Sequence, residues 1–207
     1  MDELFRYFRT RIFRWPVILL SLALLVTLLL SSATVEPMAL WPQALFLLVA
    51  IFTFRLWDDL ADREYDRLRH PDRVIVQARD LRPYIAVVAA GLSLLALALR
   101  DDSRHLLAFL GLTAMLAALY HGGVGRILAR PARAGLVLVK YPLFVYLLVT
   151  PSRRAWLAGV VLYLLLLVCE WRDDADLRSA AAMPLVLAAC AGIAAVSALY
   201  WSAGAWS

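Results

Sequence analysis

Charged residues punctuate this chain in bursts, and long apolar stretches run between the bursts. No charge falls between Arg14 and Glu36, between Glu36 and Arg55, between Arg82 and Arg100, between Arg104 and Arg126, or after Arg178. About 20 apolar residues at ~1.5 Å rise cross the ~30 Å hydrocarbon core of a bilayer, so such stretches predict transmembrane helices. Seven spans are expected, over residues 16–34, 38–57, 83–99, 105–121, 134–150, 155–171 and 180–203. The second and sixth run straight into acidic clusters at their C-terminal ends. The expected fold class is therefore all-α, a polytopic helical bundle over residues 16–207 preceded by a short segment, residues 1–15.

Composition supports this reading. Hydrophobic residues make up 63% of the 207 positions, against about half in soluble domains, and the mean hydropathy is +0.75. The net charge of +5 does not indicate nucleic acid, because the basic residues sit at helix ends, where membrane topology places them. Cys169 and Cys190 both lie in apolar stretches and imply neither a disulfide framework nor a zinc site. His70, His105 and His121 show no ligand spacing. The first apolar run is too long for a cleavable signal peptide and has no small-residue cleavage site after it.

The arginines orient the bundle. Arg6, Arg9, Arg11 and Arg14 precede the first span, and the loop after it has none. The second loop carries Arg63, Arg67, Arg69, Arg73, Arg79 and Arg82; the fourth has Arg126, Arg130 and Arg133; the sixth has Arg172 and Arg178. Only Arg100, Arg104, Arg153 and Arg154 fall on the opposite side. The positive-inside rule puts the N-terminus and the even-numbered loops in the cytoplasm and the C-terminus outside. The membrane expected is the cytoplasmic (inner) one. Residues 2–14 interleave Phe5, Phe8, Ile12 and Phe13 with arginines, a pattern for a helix lying on anionic lipid or docking a partner.

Candidate chemistry concentrates in Arg55-Leu-Trp57-Asp58-Asp59-Leu-Ala-Asp62-Arg-Glu-Tyr65-Asp66. On a continued helix Asp59, Asp62 and Asp66 share one face at i, i+3 and i+7. Like charges at this spacing repel, so either arginine pairs such as Asp59–Arg63 or a bound cation must compensate. A second cluster, Glu170-Trp171-Arg172-Asp173-Asp174-Ala-Asp176, ends the sixth span on the same side, with Glu170 and Asp173 sharing a face. Ionisable groups emerging from spans are costly and often functional. Hard carboxylate oxygens suit Mg²⁺ bridging to substrate phosphates.

Asp59-x-x-Asp62-x-x-x-Asp66 followed by His70-Pro71-Asp72-Arg73 resembles the first aspartate-rich motif of the UbiA superfamily of membrane prenyltransferases. Glu170 to Asp176, with Met183-Pro184 beyond, resembles the second. Tyr120, Arg126 and Lys140 stand where that superfamily has a tyrosine and basic residues. The resemblance implies a helical membrane fold in which Mg²⁺, held by Asp59, Asp62, Asp66, Glu170, Asp173 and Asp176, binds an isoprenyl diphosphate in a cytoplasm-facing site. Asp59, Asp62, Asp66, Glu170 and Asp173 form its catalytic set, and Asp58, Arg73, Tyr120, Arg126, Lys140 and Arg172 its substrate contacts. Ionisation then gives an allyl cation that an unidentified lipophilic or aromatic acceptor attacks. A membrane terpene cyclase, or a non-catalytic lipid-binding or assembly subunit, are the alternatives. Asp58 replaces the usual Asn and Glu170 the usual Asp. Superfamily members have about nine spans, so a bundle of seven leaves a cavity wall to be closed by lipid or by a second protomer in a homo-oligomer.

Several residues keep two roles open. Lys140, the only lysine among 21 basic residues, either snorkels to the interface or contacts a diphosphate. Arg55 lies one turn before Asp59, placed for an internal ion pair or for substrate. Trp57, Tyr65, Tyr120, Tyr141 and Trp171 fit an interfacial aromatic belt or cation–π contact with a carbocation. Pro142 is expected to kink its span. The glycine-rich run from His121 to Arg126 follows a helix and reads as a loop turn, not a dinucleotide fingerprint.

Overall fold

The computed structural model describes residues 2–12, 15–32, 37–122, 128, 130–150 and 152–173. Among them all regular structure is helical. The elements are α1 (Asp2–Tyr7), a π-helical stretch (Phe8–Ile12), α2 (Trp15–Ser31), α3 (Pro37–Ala61), α4 (Arg63–Arg69), α5 (Val74–Gln77), α6 (Arg82–Ala98), α7 (Ser103–His121), α8 (Arg130–Leu138), α9 (Lys140–Tyr146) and α10 (Arg153–Asp173). Prolines mark several starts. Pro16, Pro37, Pro83 and Pro131 sit in first turns, where a missing backbone donor costs nothing. Asp102 caps α7, accepting from the amides of Arg104 at 2.9 Å and His105 at 3.2 Å. These bonds, with the nearby charges of His105 and Arg104, hold its carboxyl below the usual carboxylate range.

The chain divides into two compact units. The first comprises the described parts of Met1–Leu22 and Met38–His121, the second those of Ala23–Pro37 and Gly122–Ser207. In the first unit, α3 buries Phe46, Leu47, Ala50, Ile51 and Phe54. On α7, Phe109, Leu112, Leu116 and Leu119 are buried, an alternating three–four spacing that makes a single apolar seam. Phe54 meets Phe109 edge to face, with ring centroids 6.3 Å apart. On α6, Tyr84, Val88 and Leu95 are buried, and Gly91 continues their seam. In the second unit, Leu167 packs against Ala134, Leu138, Tyr163 and Trp171, and Tyr163 donates to the Gly135 carbonyl at 3.2 Å. Tyr146 stacks on Trp156 at 6.2 Å and donates to its carbonyl at 3.0 Å.

Two described helices, Ser103–His121 and Arg153–Arg172, are long and apolar enough to cross a membrane, or three spans if the N-terminal segment and α2 count together as one bent span. Their outward faces are apolar: Leu107, Leu110, Val161 and Leu165 are exposed, as are Leu22, Val26 and Leu30 on α2. Hydroxyls on α2 and α7 bond back to the preceding turn, Thr27 to Ala23 at 2.7 Å and Thr113 to Phe109 at 2.9 Å, which satisfies them within their own helices. These features are compatible with a membrane protein.

The seven-span expectation is not reproduced as seven membrane-length helices. The first four and the sixth expected spans each coincide with a helix, but α2 and α6 have 17 residues each. The seventh, residues 180–203, lies outside the described residues. The fifth is interrupted at Val139, which separates α8 from α9. Pro142 explains the break. It has no N–H to give Leu138, and its ring would clash with that carbonyl in a continuous helix. The helix restarts at Lys140, which puts Pro142 in a first turn; Val139 bonds back to Leu136 at 3.3 Å and Leu143 to Val139 at 3.3 Å.

Gly91 sets how closely α3 and α6 approach. A Cβ there would fall 2.1 Å from Thr53 Oγ1 and 3.0 Å from Thr53 Cβ, whereas one on Gly111 meets nothing within 4 Å. Gly91→Leu is therefore expected to cost about 1–3 kcal/mol by overpacking, partly recovered by Thr53→Ala. Gly111→Ala is expected to gain up to about 1 kcal/mol from helix propensity. Denaturation of the detergent-solubilised variants measures both; equal effects at the two glycines would contradict the packing described.

Candidate functional site

The C-terminal end of α3 carries Arg55, Trp57, Asp58 and Asp59, and the helical path continues past it. Asp62 donates its amide to the Asp58 carbonyl at 2.9 Å, and Asp66 does the same to Asp62 at 2.8 Å. The helical hydrogen bonding thus continues across the α3–α4 junction. The members of the carboxylate stripe meet different surroundings. Asp59 and Asp66 are buried, at 4% and 2% exposure, and Asp62 is exposed.

Asp59 is surrounded by donors. Arg11 binds it with both arms of its guanidinium, Nε to Oδ2 at 3.1 Å and Nη2 to Oδ1 at 2.9 Å. The hydroxyl of Tyr7 donates to Oδ2 at 2.8 Å. Arg55, one turn earlier on α3, brings its Nε to 3.9 Å of Oδ1, the internal ion pair that its spacing suggested. Burial pushes the Asp59 carboxyl up, but Arg55, Arg11 and Tyr7 together outweigh it and hold the group below the usual carboxylate range. Tyr7 is shifted the opposite way. Burial, reinforced by the Asp59 charge, raises its phenol well above the usual range, so it stays a donor. Its ring packs edge-on against Tyr84, centroids 5.8 Å apart.

The remaining members of the stripe are also partnered. Asp66 is bound by the Arg73 guanidinium. Arg63 reaches across the turn and donates to the carbonyls of Ile75 at 3.0 Å, Val76 at 3.3 Å and Ala78 at 3.1 Å. A cation thus satisfies the C-terminal carbonyls of α5 and fastens α4 to it. Asp58 accepts the hydroxyl of Tyr120 from α7. Trp57 beside it donates its indole N–H to His121 Nε2 at 3.2 Å and meets Tyr120 edge-on at 5.4 Å. Asp58, Arg73 and Tyr120, expected as substrate contacts, are therefore part of the first unit's own polar network.

The other expected residues belong to the second unit or fall outside the description. Glu170 and Arg172 are exposed on α10, and Asp173 is its last residue. Lys140 is fully buried, its Nζ 5.1 Å from the centroid of the Tyr141 ring, so it does not snorkel to an exposed surface. Asp176, Asp174 and Arg126 lie outside the described residues. Among the described residues, no three His, Cys, Asp or Glu side chains gather closely enough to hold a metal ion. The donors are of the kind Mg²⁺ takes, but among the described residues arginines occupy Asp59 and Asp66 and no Mg²⁺ site is assembled.

Tyr7 and Arg11 were not expected at the site. Their signal was present in the arginine excess of residues 2–14, which the positive-inside rule places on the same membrane side as the carboxylate stripe.

The pairing fixes a pH dependence. The carboxyl of Asp59 ionises more readily folded than unfolded, so its contribution is fully present above the unfolded value of ~3.9 and is lost as pH falls through the lower folded value. Asp59→Asn is expected to cost about 1.5–3 kcal/mol. The stability difference between wild type and variant should be flat from pH 8 to 5 and shrink only in stronger acid. A difference that declines already between pH 7 and 6 would show that another group titrates.

No family model, no curated protein and no solved structure matches the chain.

Proposed function

We propose that this chain is a membrane-embedded prenyltransferase of the UbiA type, Mg²⁺-dependent and acting on an isoprenyl diphosphate with a lipophilic or aromatic acceptor. In this reading the chain spans the cytoplasmic membrane seven times, N-terminus in and C-terminus out. The carrying observation is the carboxylate stripe at the end of α3, with Asp59 and Asp66 buried around an exposed Asp62. Buried acids at the end of an apolar helix are expensive and are commonly kept for function. Asp62 and the second motif's Glu170 and Asp173 are the ligands this reading assigns, together with Asp59 and Asp66 once freed. Lys140, Arg126 and Arg172 contact the substrate.

The reaction is simple in outline. The allylic C–O bond breaks, diphosphate leaves with the electron pair, the acceptor's electrons form the new bond to carbon, and the acceptor then loses a proton. Mg²⁺, if held by these carboxylates, would neutralise charge on the leaving diphosphate. The chain's own part is to hold the apolar tail among its helices and keep water from the cation. If no acceptor is present, the same ionisation gives a cyclase.

A second reading has its own support. The pairing of Asp59 with Arg11 and of Asp66 with Arg73 is also what a non-catalytic lipid-binding or assembly subunit would show. Purified protein incubated with labelled isoprenyl diphosphates and Mg²⁺ separates the readings. Prenylated product supports the transferase, a hydrocarbon the cyclase, and no diphosphate release the non-catalytic subunit. Asp62→Ala is expected to lower diphosphate release by at least tenfold with little loss of stability, because Asp62 is exposed. A reporter fused after Ser207 should report the exterior, and a cytoplasmic signal there would refute the seven-span topology.

A further inference from the structure

The first unit uses its arginines in two ways. Arg11 binds Asp59, Arg73 binds Asp66, and Arg63 donates to the carbonyls at the end of α5. Arg6, Arg9, Arg67 and Arg69 are exposed instead. Each outward pair accompanies a large apolar side chain that the protein leaves uncovered. Phe5, 73% exposed, stands beside Arg6 and Arg9, and Leu68, 86% exposed, stands between Arg67 and Arg69. The two places are far apart in sequence but lie on neighbouring elements, because α1 and α4 both pack on α5.

The structure fixes which way each helix turns. On the N-terminal segment Tyr7 is buried and Leu4 and Arg11 are half-buried, and Phe5, Arg6 and Arg9 fall on the opposite side of the helix. The bonds of Tyr7 and Arg11 to Asp59 hold that orientation. On α4 the buried Asp66 turns inward to Arg73, which leaves Leu68, two residues on, facing away. A single exposed leucine or phenylalanine needs no explanation. Two of them, each accompanied by arginines, at the end of an apolar helix, fit a surface that meets anionic headgroups. Exposed acids limit the patch: Asp62, Glu64 and Asp72 flank it, and Glu64 pairs with Arg67 at 3.1 Å. The attraction is therefore local to the two arginine pairs.

We propose that the N-terminal segment and α4 form a two-point collar on anionic lipid. Phe5 and Leu68 enter the boundary of the acyl chains, and Arg6, Arg9, Arg67 and Arg69 bind lipid phosphates. The collar rests on the chain's being embedded in a membrane and is independent of the prenyltransferase reading. It extends the lipid contact expected of residues 2–14 to α4, a helix otherwise singled out for its carboxylates.

The test is spin-label accessibility in the full-length protein, with Cys169 and Cys190 replaced by serine, in nanodiscs of phosphatidylcholine with or without phosphatidylglycerol. Labels are placed singly through Phe5→Cys, Leu68→Cys and Leu107→Cys, the last on an exposed apolar position of α7. The ratio of collisions with oxygen to collisions with a water-soluble nickel chelate reports depth. The labels at positions 5 and 68 are expected to gain at least threefold in this ratio when phosphatidylglycerol is present, and the label at 107 to be high in both lipids. Arg6→Gln with Arg9→Gln should remove at least half of the gain at position 5, and Arg67→Gln with Arg69→Gln at least half of that at position 68, because each arginine near an anionic surface contributes to the attraction. Labels at 5 and 68 that stay open to the chelate in both lipids overturn the proposal and leave these faces to a soluble partner. Equal shielding in the two lipids also overturns it, since the contact would then be apolar alone. Shielding at position 5 without position 68 overturns the collar and reduces it to the N-terminal segment. A label at 107 open to the chelate overturns the membrane embedding on which the collar stands.

Discussion

A carboxylate buried at the end of an apolar helix has to be neutralised, and the first unit is arranged around that requirement at Asp59. Its compensation comes from Arg55 on the same helix and from Tyr7 and Arg11 at the far end of the sequence. Because two of these three donors are distant in sequence, the charge requirement acts as a tertiary constraint. It draws α1 onto the end of α3 and buries Tyr7 against Tyr84. Asp66 repeats the logic on a shorter scale, with Arg73 closing the loop that α5 begins. Removing one partner of such a pair is worse than never having built it, since a lone buried charge is left behind.

How much of this was legible in the sequence depends on the range of the interaction. Helix positions came from apolar runs, a local signal, and five of the six expected spans within the described residues coincide with a continuous helix. The interruption at Val139 was only half readable. Pro142 predicted a kink, but whether a proline bends a helix or ends it depends on where the chain can restart. The carboxylate stripe was readable from spacing because Asp58 to Asp66 stay on one helical path. The Arg55–Asp59 pair was readable for the same reason, at i, i+4. Arg11 and Asp59, 48 residues apart, leave no periodic trace. Only the positive-inside expectation, which put both segments on one membrane side, hinted at them. Asp58 and Tyr120, 62 residues apart, were singled out separately as substrate contacts, and their mutual bond was not anticipated.

The apolar parts of the two units use close backbone approach rather than larger side chains. Gly91 lets Thr53 of α3 fit against α6, and Gly159 leaves room for the Tyr146 ring, whose hydroxyl oxygen would lie 2.1 Å from a Cβ there. In hydrocarbon, burial of apolar surface drives helix association weakly, because lipid tails are as apolar as leucine, and tight packing at small residues takes over. The exposed leucines of α2 and α7 are consistent with that environment. So is the bonding of Thr27 and Thr113 to their own helices, since a hydroxyl facing lipid has no water to turn to.

These two economies bear differently on function. Packing through Gly91 and Gly159 is indifferent to whether the protein catalyses anything, and it stabilises a scaffold as well as an enzyme. The ion pairs are not indifferent. A scaffold with no ligand to bind gains little from burying Asp59 and Asp66 with their arginines, because well-packed apolar residues of similar volume are generally as stable or more so. Retaining four ionisable groups in two pairs is reasonable where the charges serve more than stability. Asp59 draws two of its donors from the N-terminal segment, and Asp66 draws its donor from the loop before α5. The two carboxylates are therefore not equivalent: Asp59 ties a segment distant in sequence to the end of α3, and Asp66 ties a loop only seven residues away.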